Sequence, residues 1–252
     1  MIPRAFEGAY LKLERARAHI YELEARLKEF VGREPYAAAI EQNQDGSLSL
    51  FLELREPLPQ PLGLVIGDAI HNIRTALDHA TWALVGLDRG TQDRWTKLPA
   101  SSTNQVDYES MCRGMKTPRD DTKNFLVGLK VYPGGNENLL AIHQLDNMDK
   151  HQVLVPHIAA AAIGHLRVIG PDLDMTMQGG AVSPDADGVV RLKSFGPGTK
   201  IAFDEKTKIT ASIFFGKDQP FAGEPVIDGL WRMRMWAGIA LNDFSVFVNK
   251  RD

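Results

Sequence analysis

The chain has 252 residues, 44% of them hydrophobic and 24% charged, with a net charge of −3 and one cysteine, Cys112. These values suit a globular protein and exclude a mainly disordered chain, a collagen, a coiled-coil rod, an intrachain disulfide framework and a Cys-rich zinc site. A slightly acidic chain is also a poor candidate for extensive nucleic-acid coating, though a local basic site remains open.

The first residues lead straight into a charged amphipathic stretch, with no apolar core region or cleavage pattern. The most apolar later run, Val153 to Ile163, is short and interrupted by Pro156 and His157. It cannot span a bilayer. The expectation is a cytoplasmic protein with no membrane partner.

Ala5 to about Gly32 reads as a helix, with Phe6, Tyr10, Leu13, Ile20, Leu23 and Leu27 at roughly helical spacing. His19, among its charges, is expected to be solvated. Tyr36–Glu41 and Leu48–Glu53 alternate, and Asn43-Gln44-Asp45-Gly46 between them predicts a β-hairpin. Pro57, Pro59 and Pro61 break the chain before a helix from about Leu62 to Leu87, rich in Ala, Leu and Ile and free of interior proline. Asp88–Asn104 reads as a loop, with room for a short strand around Trp95. Asp107–Arg113 and Asp120–Leu129 are short helices, and Glu137–His151 is a longer one. Val153–Ile158, Leu166–Ile169, Val189–Ser194 and Ile209–Phe215 read as strands, punctuated by turns such as Asp185-Ala186-Asp187-Gly188. Pro225 opens a last amphipathic helix, about Val226 to Val248.

This order predicts one α+β domain over residues 1–252. Its helical portion is mainly 1–34, 62–151 and 225–249, and its β-rich portion is 36–55 and 153–216. The expected architecture is a helical bundle against an antiparallel β-sheet made by the hairpin and the β-rich C-terminal half.

The Leu62–Leu87 helix carries two faces. At about 100° per residue, Ile66, Ile70, Ile73, Leu77, Ala80 and Leu84 form an apolar stripe. The other stripe is Asp68, His71, Thr75, Asp78, His79 and Trp82. A solvated face would be richer in Lys, Glu and Gln. Short hydrogen-bonding side chains suit either a packed polar network that fixes helix register or a functional pocket. On the Glu137–His151 helix, His143, Asp146, Asn147 and Lys150 share a face, with His151 beside it. A site between the two helices would join these stripes. The alternative for the second stripe is an exposed Asp146–Lys150 pair.

The string Gly67-Asp68-Ala69-Ile70-His71-Asn72-Ile73-Arg74-Thr75-Ala76-Leu77-Asp78-His79, with the later Asp149-Lys150-His151, resembles a bacterial family of uncharacterised activity. Its members carry a GD-x-x-HN-x-R-x-ALDH helix and a later DKH. The segment Arg74 to His79 is also distantly similar to the Arg-x4-6-His motif of HEPN-superfamily ribonucleases. That resemblance implies metal-independent RNA cleavage, often in a homodimer, at a site where two helical bundles meet. It makes His79 the acid/base and Arg74 the group that steadies the phosphate, with Asp78 beside them. Within one straight helix a five-residue offset rotates about 140°, so Arg74 and His79 must converge through arginine's reach, a distortion or a second copy.

Two other function classes stay open. Asp68-x-x-His71 and His143-x-x-Asp146 have the spacing of bundle metal sites and would suit a zinc, manganese or iron ion. Otherwise no cofactor is expected. A non-catalytic binding or structural protein would use the stripes only to hold its helices together. Trp231, Met233, Met235 and Trp236 on the last helix suit core or a subunit interface. His157 and His165 read as structural residues of β-like segments, and Cys112 as a bystander. No phosphate loop, dinucleotide fingerprint, nucleophile elbow or His-Glu-x-x-His is present.

Overall fold

The computed structural model describes residues 3–117, 119–151, 157–170, 173–177 and 190–251. A single-turn 3-10 segment leads into α1 (Glu7–Gly32), and the hairpin strands β1 (Tyr36–Gln42) and β2 (Leu48–Leu54) follow. Then come α2 (Pro61–Leu87), α3 (Gln105–Arg113), α4 (Asp120–Gly128) and α5 (Glu137–His151). The strands β3 (His157–Gly170), β4 (Leu173–Met177), β5 (Val190–Phe195) and β6 (Lys200–Phe214) precede the closing helix α6 (Val226–Asn249). The fold is α+β.

The hairpin turns through Gly46, whose φ of 79° suits glycine's freedom in the left-handed region. Pro61 occupies the first turn of α2, where its missing N–H forfeits no intrahelical hydrogen bond. The apolar stripe of α2 packs against Phe6 of the 3-10 segment, Leu13, Ile20 and Leu23 of α1, Leu139, Ile142 and Leu145 of α5, and Met233, Leu241 and Phe244 of α6 in one core. His19 is a correction: it is only 7% exposed. Its face follows Ala16, Ile20 and Leu23 inward, and its Nδ1 stands 3.6 Å from Glu22 Oε2 at the rim. Trp231 packs edge-on to Tyr21 and donates from Nε1 to Glu24 (2.8 Å), while Met233 is fully buried and Met235 exposed. Cys112 is buried, and burial pushes its thiol up to about 11, which leaves no reactive thiolate at neutral pH.

The strands differ from expectation in their grouping. Among the described residues they form two antiparallel three-stranded sheets, β1-β2-β5 and β4-β3-β6, rather than one. The hairpin recruits only β5 from the C-terminal half. The runs expected as separate strands up to Ile158 and from Leu166 belong to one continuous β3. It bends at register shifts near Ile158/Ala160 and Gly164/Leu166 against β6. The strand β6 begins at Lys200, well before the expected Ile209. The Asp185–Gly188 turn and Val153–Pro156 lie outside the described residues. Trp95 sits in a turn, not a strand.

Candidate functional site

The antiparallel helices α2 and α5 meet along a polar seam. At one end, the carboxylate of Asp149 lies so close to Gly67 that a Cβ there would fall 2.3 Å from Oδ1. Glycine at this position lets the helices approach. In the middle, His71 Nδ1–H donates to Asp146 Oδ1 (2.9 Å), and Lys150 Nζ donates to the other oxygen of the same carboxylate. Asp146 is 1% exposed, so these two donors compensate a buried charge. With Nδ1 engaged by Asp146, the ring's Nε2 lies 3.4 Å from the Thr75 hydroxyl. The two predicted polar stripes therefore touch. The expected exposed Asp146–Lys150 pair is instead anchored on a buried carboxylate.

At the far end of the seam stand Arg74, Asp78 and His143. Arg74 is 3% exposed. Its Nη2 donates to Leu98 O (2.6 Å) and pairs with Asp78 Oδ1 (2.9 Å). The same Asp78 oxygen accepts from Leu98 N–H (2.9 Å). One i,i+4 pair on α2 thus grips the Leu98 peptide by both of its polar groups. Burial raises the Asp78 carboxyl above its ordinary range, against the opposing pull of Arg74 and of the Leu98 amide. Arg74 therefore works from the interior, and does not face solvent as a phosphate ligand would.

The gripped loop has a second anchor. Asp93 accepts from Lys116 Nζ (2.6 Å) and from the Trp95 amide (2.9 Å), while Thr96 Oγ1 accepts from the Asp93 amide (3.0 Å). The Lys116 ammonium first, and then the Trp95 amide, hold the Asp93 carboxyl below its usual range. Between the anchors the loop displays Arg94 to Lys97. The Arg94 guanidinium lies 4.8 Å from the ring centre of Trp95, an indole that is 65% exposed.

A cleft opens on each side of this loop, and Thr96 and Lys97 line both. The first cleft, about 500 Å³, is bounded by Asp78, His79, Trp82, Arg94 and Lys97, with Ala5, Gly8 and Ala9 as its floor. His79 is exposed and packs over Gly8, where an added Cβ would lie 3.4 Å from its Nδ1. The second cleft, about 480 Å³, has apolar walls of Leu98, Pro99, Ala100, Met111 and Met115, with Trp95, Lys97, Lys116 and His143 around it. His143 Nε2 accepts from Asn147 Nδ2 at 3.0 Å, so its neutral ring carries the proton on Nδ1. Burial, then the positive charges of Arg74 and Lys97, pushes His143 down to about 4, although Asp146 pulls the other way. The ring is neutral at physiological pH.

Of the residues singled out in the sequence, His71, Asp146 and Lys150 come together. Asp78 and His79 share a cleft, and His143 lines the other. Asp68 and His151 are exposed and stand outside this arrangement. Of the two pairs with metal-site spacing, Asp68/His71 and His143/Asp146, only His71 and Asp146 are in contact, and Lys150 pairs with that same carboxylate. Among the described residues, no group of three or more His, Cys, Asp or Glu side chains is placed to hold a metal ion. Arg94, Trp95, Lys97 and Lys116 were not singled out as site residues. They lie on segments without periodicity, and only tertiary anchoring gathers them. Among the described residues, no helix is long and apolar enough to cross a membrane. No protein-family model matches the chain, and neither curated proteins nor solved structures yield a match.

Proposed function

We propose that this chain is a metal-independent, HEPN-like ribonuclease that cuts single-stranded RNA in the cleft beside His79. The observation that carries this reading is the content of that cleft: an exposed imidazole, an indole and two cations, Arg94 and Lys97, around one hollow. Each supplies something the reaction needs. Attack of a 2′-hydroxyl forms a 2′-oxygen–phosphorus bond and breaks the bond to the 5′-oxygen. His79 takes the proton from the 2′-hydroxyl, and the departing 5′-oxygen takes one from water. Arg94 and Lys97 stabilise the charge that builds on the phosphate oxygens. Trp82 offers a face on which a base can stack.

The reading departs from the resemblance in one role. Arg74, with Asp78, holds the loop in place, and the charge-stabilising work passes to Arg94 and Lys97. The resemblance also implies a second copy of the chain. Met235, Ile239 and Val246 form an exposed apolar strip on α6, the face this reading gives to it.

The test is cleavage of varied single-stranded RNAs by the purified chain, with and without chelator. Wild type cuts in both conditions. His79→Ala loses about 10²–10⁴-fold in rate with its fold intact, as expected when proton transfer is removed. Arg94→Ala and Lys97→Ala each cut more slowly. A folded wild type that cleaves no RNA, or whose cleavage chelator abolishes, refutes the proposal.

A further inference from the structure

We propose that the cleft lined by His143 is a nucleobase pocket, which seats a base of the same strand beside the phosphate held at Lys97. The inference rests on the RNA reading above and names the part of the substrate that would be recognised.

Three features of the cleft carry it. The first is continuity. Lys97 and Thr96 line both clefts, so a phosphate on Lys97 stands at the mouth of each. A strand with one nucleotide in the His79 cleft can place its neighbour across the loop without a second cationic anchor. The second is shape and surface. The volume of about 480 Å³ accommodates a base with its sugar. Leu98, Pro99, Ala100, Met111 and Met115 give it an apolar lining, which suits the faces of a planar ring. The exposed Trp95 stands at the rim as a stacking surface.

The third is the polar group. His143 is an uncharged donor among apolar walls. Asn147 occupies its Nε2, so Nδ1–H is the donor left for a ligand. A single neutral donor pairs with an acceptor on the base edge, a carbonyl oxygen of uracil, cytosine or guanine or a ring nitrogen of adenine, so the pocket takes a nucleobase without selecting among them. Lys116 is already held by Asp93 and shapes the loop without taking part in contact. The clamp at Leu98 matters here as well. It fixes the peptide that joins Lys97 to the apolar wall, and so fixes the distance between phosphate and base.

The experiment is calorimetric titration of the full chain with UMP, AMP, ribose 5-phosphate and inorganic phosphate at millimolar concentration. UMP and AMP are each expected to bind about tenfold more tightly than ribose 5-phosphate or inorganic phosphate, since one hydrogen bond plus ring burial is worth at least that factor. His143→Phe keeps the wall, removes the donor and weakens UMP binding about tenfold. Ala100→Phe fills the pocket and abolishes the preference for UMP over ribose 5-phosphate, with circular dichroism confirming that both variants fold. Equal affinity for UMP and ribose 5-phosphate overturns the pocket, because the phosphate alone would then account for binding. Absence of UMP binding overturns it too, as does UMP binding that neither variant changes. A chain that binds UMP through His143 but cuts no RNA keeps the pocket and loses the ribonuclease reading. A chain that cuts RNA while His143→Phe leaves UMP binding unchanged keeps the ribonuclease and loses the pocket.

Discussion

His143 should make the protein's stability depend on pH in a way that a single substitution erases. In the unfolded chain its ring titrates at its ordinary value of 6.5, and in the folded chain at about 4. Burial is the largest cause, and the charges of Arg74, Lys97 and Lys150 add to it. Above pH 6.5 the ring is neutral in both states and costs nothing. As pH falls from 6.5 toward 4, the unfolded chain binds a proton that the folded one refuses, so stability is lost across that window. At 1.36 kcal/mol per pH unit, the full difference converts to about 3 kcal/mol. The ring stays partly open to the cleft, and solvent screening brings the expected loss to about 1–2 kcal/mol.

Urea unfolding from pH 7.5 down to 4.5 measures this directly. Wild type should lose about 1–2 kcal/mol more than His143→Gln over that range, because glutamine does not titrate. The carboxylates common to both proteins, including Asp93 and Asp121, cancel in the difference. In thermal melts the same gap is about 2–4 °C for each kcal/mol in a chain of this size. Parallel stability curves for the two proteins would refute the reasoning. They would mean that the ring accepts its proton freely in the folded chain, and that burial and the neighbouring cations do not act on it.

Gly67→Ala should reveal the close approach of α5. Alanine would gain about 1 kcal/mol of helix propensity, but its Cβ would meet the Asp149 carboxylate, so the variant should be less stable than wild type. In an Asp149→Ala background the same substitution should instead stabilise by about 1 kcal/mol; destabilisation in both backgrounds, by urea unfolding, would show that Asp149 is not the obstacle. The exposed α6 strip predicts a dimer: sedimentation should show association at high micromolar concentration that Ile239→Glu removes. A monomer throughout would count against a second copy at the site.

The helices and the hairpin were legible because their signals are local. Apolar spacing in α1 and α2, the Asn43–Gly46 turn and the prolines before α2 each act within one or two turns of chain. The strands were less legible for a physical reason. The middle of β6, with Asp204, Glu205 and Lys206, is too polar to signal a strand, and the expected strand begins only at Ile209, yet this stretch lies within a strand that pairs with β3 on either side of it. The strand β4 was not anticipated at all; it is five residues long and pairs with the end of β3. Half of the site was legible in the same local way. His71 and Asp146 share a seam because each belongs to a polar stripe at helical spacing. The other half was not. Arg94, Trp95 and Lys97 follow no period, and their placement depends on Lys116 and on the Arg74–Asp78 pair, some twenty residues away on either side.

That pair also explains how a short motif can resemble a nuclease signature while its arginine stays inside. Arg74 and Asp78 are one helical turn apart and share a face, whereas His79 is turned about 100° further round the helix. The turn that buries Arg74 against Leu98 therefore carries His79 out to the cleft that Asp78 also lines. The spacing of arginine and histidine in this helix serves two tasks on adjacent faces. One is to clamp a loop, and the other is to place an imidazole next to what that loop displays. Lys97 adjoins the clamped residue directly, so the position of the cation relative to His79 is set by the rigid helix and not by a free loop. Positioning of this kind lets a lysine, with its flexible stem, act as a placed charge.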